Sequence, residues 1–87
     1  MISLDVTLKN KSGIHARPAS LLVKEAAKFK SQIKLIKGEK EYNAKSIMGI
    51  LSMGAQKGDN ITFQAEGEDE TQAIKALETL VDNNFGE

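Results

Sequence analysis

Apolar and polar residues alternate strictly along the opening stretch ISLDVTLK. Ile2, Leu4, Val6 and Leu8 face one way, and Ser3, Asp5, Thr7 and Lys9 the other. A repeat of two residues marks a strand with one buried face and one wet face. NKSG interrupts the repeat, and Gly13 within it can adopt backbone angles that other residues avoid. From about His15 to Phe29 the period lengthens. Ala19, Leu22, Val23, Ala26 and Phe29 fall on one helical stripe, with Lys24, Glu25 and Lys28 on the other side. Pro18 suits the first turn of that helix, where the N–H it lacks would have no intrahelical partner. SQIKLIKGEKEYN reads as two short strands turning at Lys37-Gly38-Glu39-Lys40. AKSIMGILSMG predicts a short helix that begins at Ser46 and ends by Gly54. After the turn QKGD, the segment NITFQA alternates again, with Ile61, Phe63 and Ala65 inward. GEDETQAIKALETLVDNNFG predicts a final helix, capped by Asp69 with Gln72 three residues on. Its buried stripe is Ala73, Ile74, Leu77, Leu80 and Val81.

The predicted order is therefore β-α-β-β-α-β-α. Strands that alternate need one covered face, and three amphipathic helices can supply the cover. The expected class is α+β: an open-faced two-layer sandwich with a four-stranded, mostly antiparallel sheet and three helices on one face. No linker, low-complexity tract or internal repeat divides residues 1–87, so one domain is expected.

Composition narrows the chemistry. The chain has no cysteine, one histidine and one proline, which excludes disulfides and the usual thiolate metal sites. Twelve basic residues balance twelve acidic ones, and there is no tryptophan, which disfavours direct nucleic-acid binding. No apolar run is long enough to span a bilayer, and no basic-then-apolar leader opens the sequence. A soluble cytoplasmic protein without membrane insertion is expected.

The single histidine stands at the predicted start of the first helix, in GIHARPA. One histidine without cysteine makes a metal site implausible, so no metal and no cofactor are expected. A Cys–His pair is impossible, no spacing suggests a Ser–His–Asp triad, and no glycine-rich nucleotide loop is present. The chemistry left to His15 is that of a nucleophile acting alone: an unprotonated imidazole nitrogen can attack phosphorus. A helix start supplies unpaired N–H groups and a partial positive charge, here around Ala16 and Arg17. The guanidinium of Arg17 adds a planar fork that matches phosphate oxygens. The helix field contributes roughly 0.3–1 kcal/mol at an exposed site. It can steady a dianion but cannot drive its transfer. On residues alone, an ordinary surface or capping histidine remains the competing reading.

GIHARPA, with KSIMGILSMG about thirty residues later on this element order, resembles the histidine-containing phosphocarrier (HPr) family of the bacterial sugar phosphotransferase system. The resemblance extends from the first strand to the last helix. It implies that His15 accepts a phosphoryl group on Nδ1 from enzyme I, itself charged from phosphoenolpyruvate. The A domains of sugar-specific enzymes II would then take the group. Arg17 would assist the phosphoryl group, Ala16 and Pro18 would support the helix start, and the chain would have no turnover of its own. Regulatory paralogues of this family lack the histidine, whereas His15 is present here. A ferredoxin-like binding module for RNA or metal is the competing class, disfavoured by the same composition.

Ser46 sits where a helix cap belongs, its hydroxyl able to meet the N–H of Met48 or Gly49, a role worth about 1 kcal/mol. KSIMGIL is also similar to the regulatory segment of low-GC Gram-positive members. That similarity implies ATP-dependent phosphorylation of Ser46 by HPr kinase/phosphorylase, and recognition by catabolite control protein, a transcription regulator. A phosphate at a helix start is tolerated electrostatically. Ile47, Met48 and Leu51 are then the expected partner-binding patch, with burial of Leu51 in the core the competing reading; flexible Met48 is the stronger contact candidate. A carrier that meets its partners in turn is expected to be monomeric.

Overall fold

The computed structural model describes residues 1–86. The elements are β1 (Ile2–Thr7), α1 (Ala16–Ala26), β2 (Gln32–Lys37), β3 (Lys40–Asn43), α2 (Ile47–Met53), β4 (Asn60–Glu66) and α3 (Glu70–Asp82), followed by a 3₁₀ turn at Asn84–Gly86. The strands form one sheet in the order β1-β4-β2-β3, with every neighbouring pair antiparallel. The predicted α+β class and element order hold.

Register explains how the alternation becomes a core. Leu4 lies opposite Phe63, Phe63 opposite Leu35, and Leu35 opposite Tyr42, so one row of side chains crosses all four strands. Flanking rows hold Ile2, Ala65 and Ile33 on one side and Val6 and Ile61 on the other. These residues pack with Ala19, Leu22 and Ala26 of α1, Ile50 and Met53 of α2, and Ala73, Ile74, Leu77 and Val81 of α3 in a single cluster. The opposite face carries polar rows such as Ser3, Gln64, Lys34 and Asn43. There Thr62 Oγ1 donates to Asp5 Oδ1 at 2.6 Å. The sheet is covered on one side and wet on the other, as its period of two requires.

Three local expectations are corrected. β1 ends at Thr7 rather than Lys9, yet buried Leu8 keeps its main chain paired: its N–H donates to the Asp59 carbonyl at 3.0 Å, and its own carbonyl accepts from Gly58 at 2.8 Å. α1 ends at Ala26 rather than Phe29, because Lys28 and Phe29 donate three residues back, to Glu25 and Ala26. That tighter winding closes the helix, while half-buried Phe29 still packs on the core.

The third correction concerns Asp69. It stands at the N-cap position of α3 but makes no side-chain cap bond, and Gln72 is exposed. Its carboxylate reaches instead to the α1–β2 connection, accepting from the N–H groups of Lys30 and Ser31 at 2.9 Å each and from the Ser31 hydroxyl. The Ser31 hydroxyl and the Lys30 N–H hold the Asp69 carboxyl below its ordinary value. Gly67 lets the segments meet, since a Cβ there would lie 2.6 Å from Ser31 Oγ. Glu70 supplies the local closure, accepting from the Gly67 N–H at 3.2 Å.

Candidate functional site

His15 is the N-cap residue of α1, in extended backbone conformation (φ −106°, ψ −160°), and its side chain is exposed. Its carbonyl accepts the first intrahelical bond, from Ala19 at 2.9 Å. The imidazole does not cap the helix. Ala16, Arg17 and Pro18 are the first three helical positions, whose amides have no acceptor within a helix. Pro18, third in this turn, therefore costs no hydrogen bond and buries its ring instead. Ala16 and Arg17 are exposed, and no acidic residue occupies the first turn to offset its positive end. The site thus offers an accessible imidazole, two outward amides and a guanidinium on one short segment.

The segment is held in place from outside the helix. Gly13 has φ +62°, and an added Cβ would lie 2.5 Å from the Ala55 carbonyl oxygen and 2.6 Å from Gln56 Cα. Both the left-handed angle and the close approach require glycine. Ile14, itself buried, donates its N–H to the Ala55 carbonyl at 2.9 Å. The main chain entering His15 therefore rests on the connection that follows α2. Sequence reasoning singled out Gly13 for its angle, but Asn10, Ala55 and Gln56 carried no signal. Ala55 and Gln56 meet Gly13 across more than forty residues, beyond the reach of any local period, and Asn10 acts through a buried bond to Gly13 three residues on, which no period marks.

α2 begins at Ser46, whose Oγ accepts from the Gly49 N–H at 3.1 Å. Of the two amides considered, Gly49 is the partner, so Ser46 is a cap. A Cβ on Gly49 would lie 3.3 Å from that oxygen, so glycine leaves the hydroxyl room. Asn43 completes the turn, its carbonyl accepting from Ser46 and its Oδ1 from Lys45. Seven residues make α2 about 10 Å long, with caps at Ser46 and at Gly54, one residue before the Ala55 that Gly13 and Ile14 touch. Ile50 and Met53 point inward. Ile47, Met48 and Leu51 are 39%, 73% and 38% exposed. Leu51 is thus at the surface rather than in the core.

Among the described residues, no cluster of three or more His, Cys, Asp or Glu is arranged to hold a metal ion. No helix among them is long and apolar enough to cross a membrane.

Residues 2–83 match the family model described as the PTS HPr component phosphorylation site. The phosphocarrier protein HPr of Mycoplasma capricolum is 47% identical over 83 residues, covering 94% of this chain and 93% of its own. The crystal structure of HPr-C-His from Thermoanaerobacter tengcongensis superposes with a TM-score of 0.97 at 52% identity, covering 100% of this chain and 98% of that one. The Bacillus subtilis catabolite repression protein Crh, crystallised as a dimer with a swapped domain, has a TM-score of 0.77 at 42% identity, with 95% of each chain covered. With sequence model, fold and near full-length relatives in agreement, the chain belongs to the HPr phosphocarrier family of the phosphotransferase system.

Proposed function

We propose that the chain, acting as one domain, carries phosphoryl groups on His15 between enzyme I and the A domains of sugar-specific enzymes II. The observation that carries this reading is the exposed His15 in extended conformation at the start of α1, two residues before Arg17. Nδ1 attacks the phosphorus of phosphorylated enzyme I. A new N–P bond forms as the bond to the donor breaks, and the group is later surrendered to an enzyme II A domain by the same exchange. Arg17 faces the phosphoryl oxygens with a fixed charge. Ala16 contributes an outward amide, and Pro18 fixes the entry to the helix. The step needs no metal and no cofactor, and without its partners the chain turns nothing over. Its expected compartment is the cytoplasm.

Intact mass after incubation with phosphoenolpyruvate and enzyme I tests the reading. A gain of one acid-labile phosphoryl group, lost in His15→Ala, is expected. No gain with an enzyme I that phosphorylates a known HPr overturns it.

Ser46 carries a second function in this reading, as the acceptor for HPr kinase/phosphorylase. Its half-buried hydroxyl faces the start of α2, so a phosphate there keeps acceptor oxygens at the helix N-terminus and the helix survives. The new dianion adjoins Ile47, Met48 and Leu51, where it repels an acidic surface of enzyme I and completes an epitope for catabolite control protein. The likeness to Crh, a catabolite repression protein, supports this assignment. ATP-dependent modification is expected to slow transfer to His15 in the wild type and leave Ser46→Ala unaffected; a kinase that does not change the wild-type mass refutes it. The carrier acts as a monomer, leaving the His15 face open to each partner in turn. Sedimentation distinguishes this from a swapped dimer of the Crh kind.

A further inference from the structure

Asn10 is 2% exposed, and no described group donates to its Oδ1. A buried polar atom without a partner is destabilising, so this amide is a poor choice for stability alone. Its other end explains its presence. Asn10 Nδ2 donates to the carbonyl of Gly13 at 2.6 Å, and the Gly13 N–H donates to the carbonyl of Asn10 at 3.1 Å. Both polar groups of one glycine are thus tied to one residue. On its other side Gly13 abuts Ala55 and Gln56 with no space for a Cβ, and Ile14 donates to Ala55 at 2.9 Å. The most conformationally permissive residue in the loop is held from two directions, two positions before His15.

We propose that Asn10 is a positioning residue for phosphoryl transfer: its side-chain amide sets the peptide planes around Gly13, and through them the placement of His15 against the start of α1. The inference rests on the carrier reading above. Asn10 does not touch the phosphoryl group. It acts by restricting the main chain that bears the nucleophile, and displacement of a reacting group by about 1 Å can cost up to a hundred-fold in rate. A carbonyl held by a buried donor keeps its plane where a solvated one would swing.

The test is single-turnover transfer from phosphorylated enzyme I to the wild type, Asn10→Ala and Asn10→Asp, at a temperature where circular dichroism shows each fully folded. Asn10→Ala removes the donor. Asn10→Asp keeps the shape but turns an acceptor towards the Gly13 carbonyl. Gly38→Ala, at the remote β2–β3 turn, serves as a destabilised control. Both Asn10 variants are expected to lower the maximal transfer rate roughly ten-fold, to leave the half-saturating enzyme I concentration within about two-fold, and to speed hydrogen exchange of the Ile14 amide. Gly38→Ala is expected to transfer at the wild-type rate. If one Asn10 variant fails to fold, the other decides. A folded variant with the wild-type maximal rate, or one whose loss lies wholly in half-saturation, overturns the positioning role. A wild type that takes no phosphoryl group overturns the carrier reading and this role together, whereas unaffected variants of an active wild type overturn the role alone.

Discussion

Gly13 and Gly38 form a natural pair for testing what holds the His15 segment. Their backbone angles are nearly the same, φ +62° and +63°, but a Cβ on Gly38 meets nothing within 4 Å while one on Gly13 strikes main-chain atoms at 2.5, 2.6 and 3.0 Å. Alanine at Gly38 therefore incurs only the left-handed strain, about 1–2 kcal/mol. Alanine at Gly13 adds overpacking against backbone that cannot rotate aside, about 1–3 kcal/mol more, for a total of about 2–5 kcal/mol. A domain of this size is stable by about 4–13 kcal/mol, so both variants are measurable. With a urea slope of about 1–3 kcal/mol per molar, the midpoint of Gly13→Ala is expected roughly 1 M below that of Gly38→Ala. Transfer to His15 from enzyme I is expected to slow only in Gly13→Ala. Equal urea midpoints would refute the close approach of Gly13 to Ala55. Unequal midpoints with equal transfer rates would show that the approach does not govern His15.

Four further outcomes follow from the same geometry. Ser46→Ala leaves the Gly49 amide without its acceptor and is expected to lower stability by about 1 kcal/mol, read as a fall in Tm of about 4–8 °C. Asp69 has a depressed folded-state carboxyl, chiefly through the Ser31 hydroxyl and then the Lys30 N–H. Its contribution is complete above the ordinary carboxylate value and is lost as pH falls through the lower folded one. The wild type is thus expected to lose stability below about pH 4, with a shallower acid slope in Asp69→Asn; identical slopes in urea titrations would exclude this contribution of the Asp69 bonds to Lys30 and Ser31. Phe63, fully buried in the middle of its cross-strand row, is expected to cost about 3–5 kcal/mol on truncation to alanine, measured by urea unfolding. Met48→Lys, at a 73% exposed position, is expected to change stability by less than about 0.5 kcal/mol while raising the enzyme I concentration needed for half-maximal transfer.

These perturbations separate two kinds of support. The helix start at His15 is built locally, from an extended cap residue and a proline that forfeits no bond. Its placement is set remotely, by the connection after α2. α2 therefore links Ser46 at one end to the base of the His15 loop at the other, with the exposed apolar residues between. A charge added at Ser46 alters the surface of that element without breaking the cap geometry that maintains it.

The chain's own order of residues was enough to determine its elements, because strand and helix periods arise from neighbours within four positions. ISLDVTLK and NITFQA alternate and are strands; Ser46 and Gly54 bracket α2 as cap and left-handed stop. The candidate nucleophile was equally legible, since the only histidine precedes the only proline at a helix start. What three dimensions decided are the contacts between segments far apart in the chain. The strand order β1-β4-β2-β3 is one. Another is Asp69, which read locally as a helix cap but binds Ser31, because two amides and a hydroxyl across the α1–β2 connection offer a carboxylate more than its own helix does. The grip of Ala55 and Gln56 on Gly13 is the third. No period encodes such meetings; they exist only once the sheet and its helices have closed on one core.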